Sequence, residues 1–283
     1  MILIADGGST KVDWILLNND KTEILRDRSE GLNPSILSEE KLRQRIIKVD
    51  SLSSFYKSIQ QIHFYGAGCG TDKSAEYLKI VLQSIFTKAE IKVSEDLLAA
   101  VYASTSLKPG IVCILGTGSN SCYFDGKNII NIAPSLGYTV MDEASGNYFG
   151  KRLLRDYFYN KMPEKLSLEF KNKYDLDVDV VKNNLYAATG PNMYLASFAK
   201  FMFNFKTEDY IQQLIRKGFQ EYFEYQINPF SKNKETPLYF IGSIAYYFGK
   251  ILEETALKNN LNVTKIIKHP IDDLVKFHQE NDI

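Results

Sequence analysis

The chain repeats one strand–turn–strand pattern in each half. Near its start, Ile2-Leu3-Ile4, Val12-Asp13-Trp14-Ile15-Leu16-Leu17 and Glu23-Ile24-Leu25 are short apolar runs, separated by Asp6-Gly7-Gly8-Ser9-Thr10-Lys11 and by Asn18-Asn19-Asp20. Turn-forming residues between such runs predict a three-stranded meander. After Lys108-Pro109-Gly110 the pattern restarts, with strands predicted over residues 111–115, 121–124 and 129–132 and Gly116-Thr117-Gly118-Ser119-Asn120 in the first turn. Alternating helical and strand-like segments follow each meander. The arrangement predicts an α/β protein of two duplicated domains, not a short-period repeat. We place the first at residues 1–108, the second, with a helical insertion, at 109–269, and a terminal helix at 270–283.

In the first half, a helix is predicted near 39–49 and a buried strand at 62–65. The strand runs into Gly66-Ala67-Gly68-Cys69-Gly70-Thr71; a helix over 73–86, a strand at 91–93 and a helix from Asp96 follow. In the second half, residues 148–225 read as mostly helical and 238–241 as a last strand. That strand leads through Gly242-Ser243 into one long helix near 245–259. Pro270 opens the terminal helix, with Asp272 and Asp273 in its first turn, where negative charge suits the dipole. Phe230, Thr236 and the Ser, Asn and Lys residues between them read as an exposed loop.

Composition removes several function classes. Lys+Arg and Asp+Glu are equal at 34 each, so no global basic field exists to collect nucleic acid. No apolar run reaches the roughly 18 residues of a membrane span, and no signal-peptide pattern is visible, so a cytoplasmic protein is expected. Cys69, Cys113 and Cys122 then read as reduced thiols, with Cys69, in its glycine loop, as the exposed one. His63, His269 and His278 match no zinc spacing. The 18 Tyr and 17 Phe could build a helical core or a homodimer face, and core is the better reading.

Two glycine patterns are decoys. A dinucleotide fingerprint starting at Gly66 needs a third glycine where Thr71 stands, and a P-loop ending at Lys73-Ser74 needs glycines where Ala67 and Asp72 stand. Gly116-Thr117-Gly118 continues as strand, so it lacks the helix N-terminus that would hold a pyrophosphate.

The two glycine hairpins carry the chemistry. Asp6, at the end of the first strand, can hold Mg²⁺ through water. Gly7 and Gly8 let backbone approach a phosphate, and Ser9, Thr10 and Lys11 can donate to its oxygens. Gly116, Thr117, Gly118 and Ser119 repeat the arrangement. Two such hairpins facing each other would grip a polyphosphate, which implies a two-lobed phosphotransferase with a cleft. Each motif alone is equally a plain hairpin turn. Asp96 reads as a helix N-cap, or as a general base facing an acceptor hydroxyl, with Glu95 beside it. Asp142 and Glu143 either start a helix or bind substrate or metal, and Asn33 can bond a sugar hydroxyl or only its own backbone. Gly242 and Ser243 either let an adenine lie close or cap a helix.

At these residues the chain resembles the actin, hexokinase and heat-shock ATPase superfamily. Within it, the chain is similar to N-acetylglucosamine kinases and to the related activator ATPases of 2-hydroxyacyl-CoA dehydratases and benzoyl-CoA reductase. Asp6 to Lys11 resembles the first phosphate motif, Gly116 to Asn120 the second, and Leu238 to Phe248 the adenosine motif. The resemblance implies two ribonuclease-H-like domains with an interdomain cleft that closes over ATP and Mg²⁺. It further implies Asp96 as the catalytic base, Asn33, Thr117, Asn120, Asp142 and Glu143 as sugar contacts, and Gly8, Thr10, Gly242 and Ser243 as nucleotide contacts. The expected activity is transfer of phosphate to an N-acetylated amino sugar, with N-acetylglucosamine at its 6-hydroxyl first and N-acetylmuramic acid or glucosamine as alternatives. An activator ATPase, which needs exposed cysteines for an iron–sulfur cluster, and a non-catalytic nucleotide-binding regulator remain the other readings. The family's Gly-Asp-Glu-Gly-Ser-Gly stands here as Met141-Asp142-Glu143-Ala144-Ser145-Gly146, with two glycines lost.

Overall fold

The computed structural model describes residues 1–186, 190–230 and 235–281. Two units emerge: Met1–Leu107 with Pro270–Ile283, and Lys108–His269.

The first unit is built on a five-stranded sheet of β1 (Ile2–Gly7), β2 (Lys11–Leu17), β3 (Glu23–Glu30), β4 (Gln61–Gly66) and β5 (Glu90–Glu95), in the order β3-β2-β1-β4-β5. The meander strands pair antiparallel, while β4 lies parallel to both β1 and β5. Leu3, Ile4, Ala5, Val12, Trp14, Ile15, Leu16 and Leu17 are fully buried, as expected of strands covered on both faces. The edge strand β3 instead carries exposed Glu23, Arg26, Arg28 and Glu30, which discourage further strand pairing. Helices α1 (Glu39–Ile47) and α2 (Asp72–Gln83) start where Ser38 and Thr71 accept from the backbone N–H of Lys41 and Ser74. Helix α3 (Asp96–Thr105) directly follows β5.

The second unit repeats this topology. Its strands are β6 (Gly110–Leu115), β7 (Ser119–Phe124), β8 (Ile129–Ile130), β9 (Leu238–Ile241) and β10 (Val263–Ile267), in the order β10-β9-β6-β7-β8. Here too an antiparallel meander is extended by two parallel strands. Each sheet with its helices is a ribonuclease-H-like domain. Helices α4 (Gly146–Phe158), α5 (Glu164–Lys173), α6 (Val178–Tyr186), α7 (Pro191–Asn204) and α8 (Asp209–Tyr222) intervene before β9, and α8 runs into a π-helical turn, Phe223–Ile227. Phe149, Phe170, Phe198, Phe201, Phe219, Phe223 and Phe240 are fully buried, so these rings form core.

The structure corrects several expectations from sequence. Strand β10 was not expected. Its exposed Thr264 and Lys265 hide it, and among the described residues it pairs only with β9. The expected helix 245–259 is two helices, α9 (Ser243–Tyr247) and α10 (Gly249–Lys258). They break at Phe248, which is buried against Phe203 with ring centroids 5.6 Å apart. Strand β8 ends at Ile130, short of the expected 132. The expected loop from Phe230 to Thr236 lies partly outside the described residues. Cys69 is buried, as are Cys113 and Cys122. The Cys69 backbone N–H donates to Gly66 O at 3.2 Å. Burial, with the nearby Asp96 charge second, pushes its thiol up to about 12.

The last helix, α11 (Ile271–Glu280), packs on α3 in the first unit. Phe277 stacks on Tyr102 with centroids 4.2 Å apart, and His278 Nε2 lies 2.9 Å from the Tyr65 hydroxyl.

Candidate active site

In the first unit, the candidate residues gather at the carboxyl ends of β1, β4 and β5. Gly7, Gly66 and Glu95 lie side by side in register, so Asp6 is one residue before that row and Asp96 one residue after it. In open α/β sheets this end of the strands is where ligands bind. Asp6 also lies directly opposite Asp13 across the β1–β2 pair. Like charges so placed repel. Its carboxyl is pushed up to about 7, first by burial, then by Asp96 and Asp13, with Lys11 opposing. Asp13 behaves oppositely. Burial alone would raise it, but Lys11 Nζ at 2.6 Å and Arg28 Nε at 2.6 Å hold it below the usual carboxylate range. Lys11, expected to donate to phosphate, is therefore paired with Asp13 on its own strand face.

The donor chemistry fits a hydrated divalent cation beside Asp6. Among the described residues, no group of three or more His, Cys, Asp or Glu could hold a metal ion by itself. Mg²⁺ does not need one, because it binds through one or two carboxylates together with phosphate oxygens and waters. The elevated Asp6 carboxyl predicts that Asp6→Asn melts above wild type at pH 8 in the absence of Mg²⁺. Between the unfolded value near 4 and about 7 the native carboxyl keeps a proton that the unfolded chain releases, so stability falls as pH rises, and the loss is complete above about 7. The gap in melting temperature should narrow as pH falls from 7 to 4; a gap independent of pH would contradict the assignment.

The hairpin turn at Ser9-Thr10 is closed by Gly8 N–H donating to Lys11 O at 2.8 Å. A second segment braces it. Gly31 N–H donates to Thr10 O at 3.1 Å, and a Cβ on Gly31 would sit 2.2 Å from Ser9 O. Asn33 Nδ2 reaches Ser9 Oγ at 3.3 Å, while its Oδ1 accepts from Ser35 N–H at 2.9 Å. Gly7 is explained by packing, since a Cβ there would lie 2.7 Å from the Phe64 ring. A Cβ on Gly8 would meet nothing closer than 3.6 Å, so packing does not require glycine there. Asp96 is the first residue of α3, not its cap. Glu95 takes the cap position and makes no side-chain capping bond.

In the second unit, Gly116 and Gly242 directly follow the adjacent strands β6 and β9. The β6–β7 turn is closed by Gly116 N–H to Gly118 O at 3.0 Å. It is fastened to the start of α4, where Gly146 N–H donates to Gly116 O at 2.8 Å and Asn147 N–H to Thr117 O at 3.0 Å. Asp142 is buried and holds the turn from behind. Its Oδ1 accepts from Ser119 N–H at 3.2 Å and its Oδ2 from Asn147 Nδ2 at 2.7 Å. A Cβ on Gly118 would fall 2.8 Å from Asp142 Oδ2. Burial raises the Asp142 carboxyl, with Asn147 and Ser119 opposing. Ser119 Oγ donates to Glu143 O at 2.7 Å, and Glu143 Oε2 accepts from Gln226 Nε2 at 3.2 Å. Asn120 Oδ1 accepts from Ser121 N–H at 2.9 Å. Gly242, the N-cap of α9, has φ +121° and ψ 164°, and a Cβ would lie 2.3 Å from Leu115 O. Its glycine identity is thus explained by the neighbouring strand, and Ser243 opens α9.

Sequence reasoning missed Asn147 and Gln226. Asn147 had a local signal, because asparagine in the first turn of a helix usually bonds outside the helical ladder. Gln226 had none. The lost motif glycine at Ala144 is also resolved: its backbone keeps the left-handed conformation, at φ +57°, and Asp142 stands at φ +71°. A non-glycine residue there costs roughly 1 kcal/mol. Ala144→Gly should therefore raise the unfolding free energy by up to about 1 kcal/mol in urea titrations. A loss of stability would mean that the buried methyl outweighs the strain.

The whole structure is similar to that of a protein from Porphyromonas gingivalis named as a candidate N-acetylglucosamine kinase, with 31% identity, full coverage of both chains and a TM-score of 0.90. A second protein so named, from Chromobacterium violaceum, matches with a TM-score of 0.71 at 15% identity over 98% of each chain. A ROK family glucokinase from Streptomyces griseus, solved with glucose and AMPPNP, matches at 0.56 with 14% identity over 97% of each chain. These last two show a shared fold. Neither a scan against protein-family models nor a search of curated proteins gives a match. Among the described residues, no helix is long and apolar enough to cross a membrane.

Proposed function

This chain belongs to the N-acetylglucosamine kinase family of the actin, hexokinase and heat-shock ATPase superfamily, and on that premise we propose that it is an ATP-dependent sugar kinase acting on an N-acetylated amino sugar, N-acetylglucosamine at its 6-hydroxyl. The observation that carries this reading is the electrostatic coupling of Asp6 and Asp96 at the carboxyl ends of β1 and β5. One carboxylate suits a cation and the other a proton, and transfer of a phosphoryl group to an alcohol needs both.

In this mechanism Asp96 accepts the proton of the attacking hydroxyl, which requires direct contact with it. Asp6 would hold a hydrated Mg²⁺, which would supply positive charge to offset that of the phosphates. In the first unit the turn residues Gly8, Ser9 and Thr10 offer donors suited to phosphate oxygens, and in the second unit Gly116, Thr117, Gly118 and Ser119 offer a like set. Such preset donors stabilise developing charge without reorganising. Asn33 and Asn120 each offer a side-chain amide suited to a sugar hydroxyl. Asp142 sets the second turn, and Glu143 contacts substrate. Gly242 and Ser243 border the nucleoside.

A coupled ADP-release assay with ATP and Mg²⁺ tests the reading, comparing N-acetylglucosamine, N-acetylmuramic acid, glucosamine, glucose and no sugar. Strong stimulation by N-acetylglucosamine is expected. Equal turnover with and without every sugar would replace the kinase with an ATPase, and ATP binding without turnover would replace it with a regulator.

A further inference from the structure

Of the three histidines in the chain, two meet inside the first unit. His63 on β4 and His278 on α11 have ring centroids 4.5 Å apart, and each residue is only 4% exposed. The other buried residues of α11 are Ile271, Leu274, Val275 and Phe277, an apolar face on which a titratable ring stands out. Neither histidine has a part in the chemistry assigned to Asp6 and Asp96.

Helix α11 is fastened to the first unit by side chains and not by strand pairing. His278 Nε2 lies 2.9 Å from the Tyr65 hydroxyl on β4, and Phe277 stacks on Tyr102 of α3. Tyr65 and Tyr102 meet edge to face, with centroids 6.1 Å apart, so rings from α11, α3 and β4 form one cluster. Nearer its ends the helix is held by exposed contacts, Arg26 with Asp272 at 2.7 Å and Gln279 Nε2 donating to Lys21 O at 2.9 Å. Exposed ion pairs contribute little. Terminal elements docked in this way can open without global unfolding.

We propose that the His63–His278 pair is an acid-operated latch: it keeps α11 on α3, and so fixes the helix that begins with Asp96, only while both rings are neutral. The Tyr65 hydroxyl can donate to a neutral Nε2. A proton on either ring would place a charge inside the ring cluster, out of water and against the other ring. The surroundings add to the cost. Lys92 and Glu90 face the pair from β5 and Lys21 from the β2–β3 turn, so cations outnumber the carboxylate. On β3, Arg26 is engaged with Asp272, and β4 and α3 present the hydroxyls of Tyr65 and Tyr102. Burial first, then His63, Lys21 and Lys92, pulls His278 down to about 3. Burial, then Lys92, with Glu90 opposing, pulls His63 down to about 4. Once α11 leaves, both rings return to water, where histidine titrates near ~6.5. The released form therefore takes up protons below ~6.5 that the docked pair refuses, and docking weakens as pH falls from there toward 4. Each ring lowers the ratio of docked to released helix by up to about tenfold per pH unit.

Hydrogen exchange read by mass spectrometry, corrected for the intrinsic rate at each pH, tests the latch without catalysis. Between pH 7 and 5, protection of residues 271–280 and 96–105 should fall together by at least ~10²-fold, while residues 72–83 of α2 change by less than ~10-fold. Protection of either segment that holds within ~10-fold overturns the inference, as does an equal fall in α2, which is global unfolding. His63→Asn combined with His278→Gln keeps polar side chains that take up no proton, and should remove most of the pH dependence. A folded double variant that keeps the wild-type fall overturns the latch; if it does not fold, the wild-type exchange decides. The consequence for turnover rests on the kinase reading. Sugar-dependent kcat should fall at least ~10-fold further between pH 7 and 5 in wild type than in the double variant, since both carry Asp96. Equal falls overturn the link to Asp96. No sugar-dependent turnover at pH 7 overturns the kinase reading and leaves exchange to decide the latch.

Discussion

Asp96→Asn will lower sugar-dependent turnover by at least ~10²-fold, the usual loss when a general base is removed, while sugar affinity stays within a few-fold of wild type. Asparagine keeps the size and hydrogen-bonding reach of the side chain but cannot accept the proton. The position argues for that role: Asp96 opens α3 directly beyond β5, within the field of Asp6, and its charge is the second contribution raising the Asp6 carboxyl. The same substitution should therefore bring the Asp6 titration down toward the ordinary carboxylate range, a readout that needs no catalysis. Steady-state ADP release and calorimetry on one preparation separate kcat from binding. Near wild-type turnover would remove Asp96 from the chemistry.

Gly242→Ala will destabilise the protein by about 3 kcal/mol or more. Its φ and ψ, +121° and 164°, lie in a region open essentially to glycine, where another residue costs about 1–3 kcal/mol. The added methyl would also meet Leu115 O at 2.3 Å and Leu115 C at 2.6 Å, which is backbone that cannot rotate away. Leu115 immediately precedes the Gly116 turn, and Gly242 N–H is bonded to Ile267 O at 2.8 Å. The strain would thus reach β6, β9 and β10 together. Against a typical total stability of 5–15 kcal/mol the loss is large. Urea denaturation measures it, and a change under about 1 kcal/mol would show that the strand ends can part without cost.

Legibility in the sequence followed the range of the interactions. The meanders were readable because turn residues and apolar runs alternate within a few positions, as in β1, β2 and β6. Strand β10 was not, because Thr264 and Lys265 face solvent and its pairing with β9 reaches back across α9 and α10. Asp6, Asp96 and Asp142 could be named from their places at strand ends and in motifs. What surrounds them could not. Gln226 meets Glu143 across 83 residues of chain and Ser121 across 105, and no local pattern encodes such a meeting. Glycines misled in a different way. Gly7 and Gly242 look like room for a ligand, but the space their missing Cβ leaves is filled by Phe64 and Leu115. Burial of Cys69 was hidden by its glycine-rich setting, which reads as exposed loop.

The most direct test of the central claim is the identity of the phosphorylated product. Wild-type protein incubated with ATP, Mg²⁺ and N-acetylglucosamine should give, by ³¹P nuclear magnetic resonance, one new phosphomonoester signal coupled to two methylene protons, in amounts equal to the ADP formed. That pattern places the phosphate on the 6-hydroxyl. Inorganic phosphate appearing in place of the ester, at a rate the sugar does not change, would contradict the account.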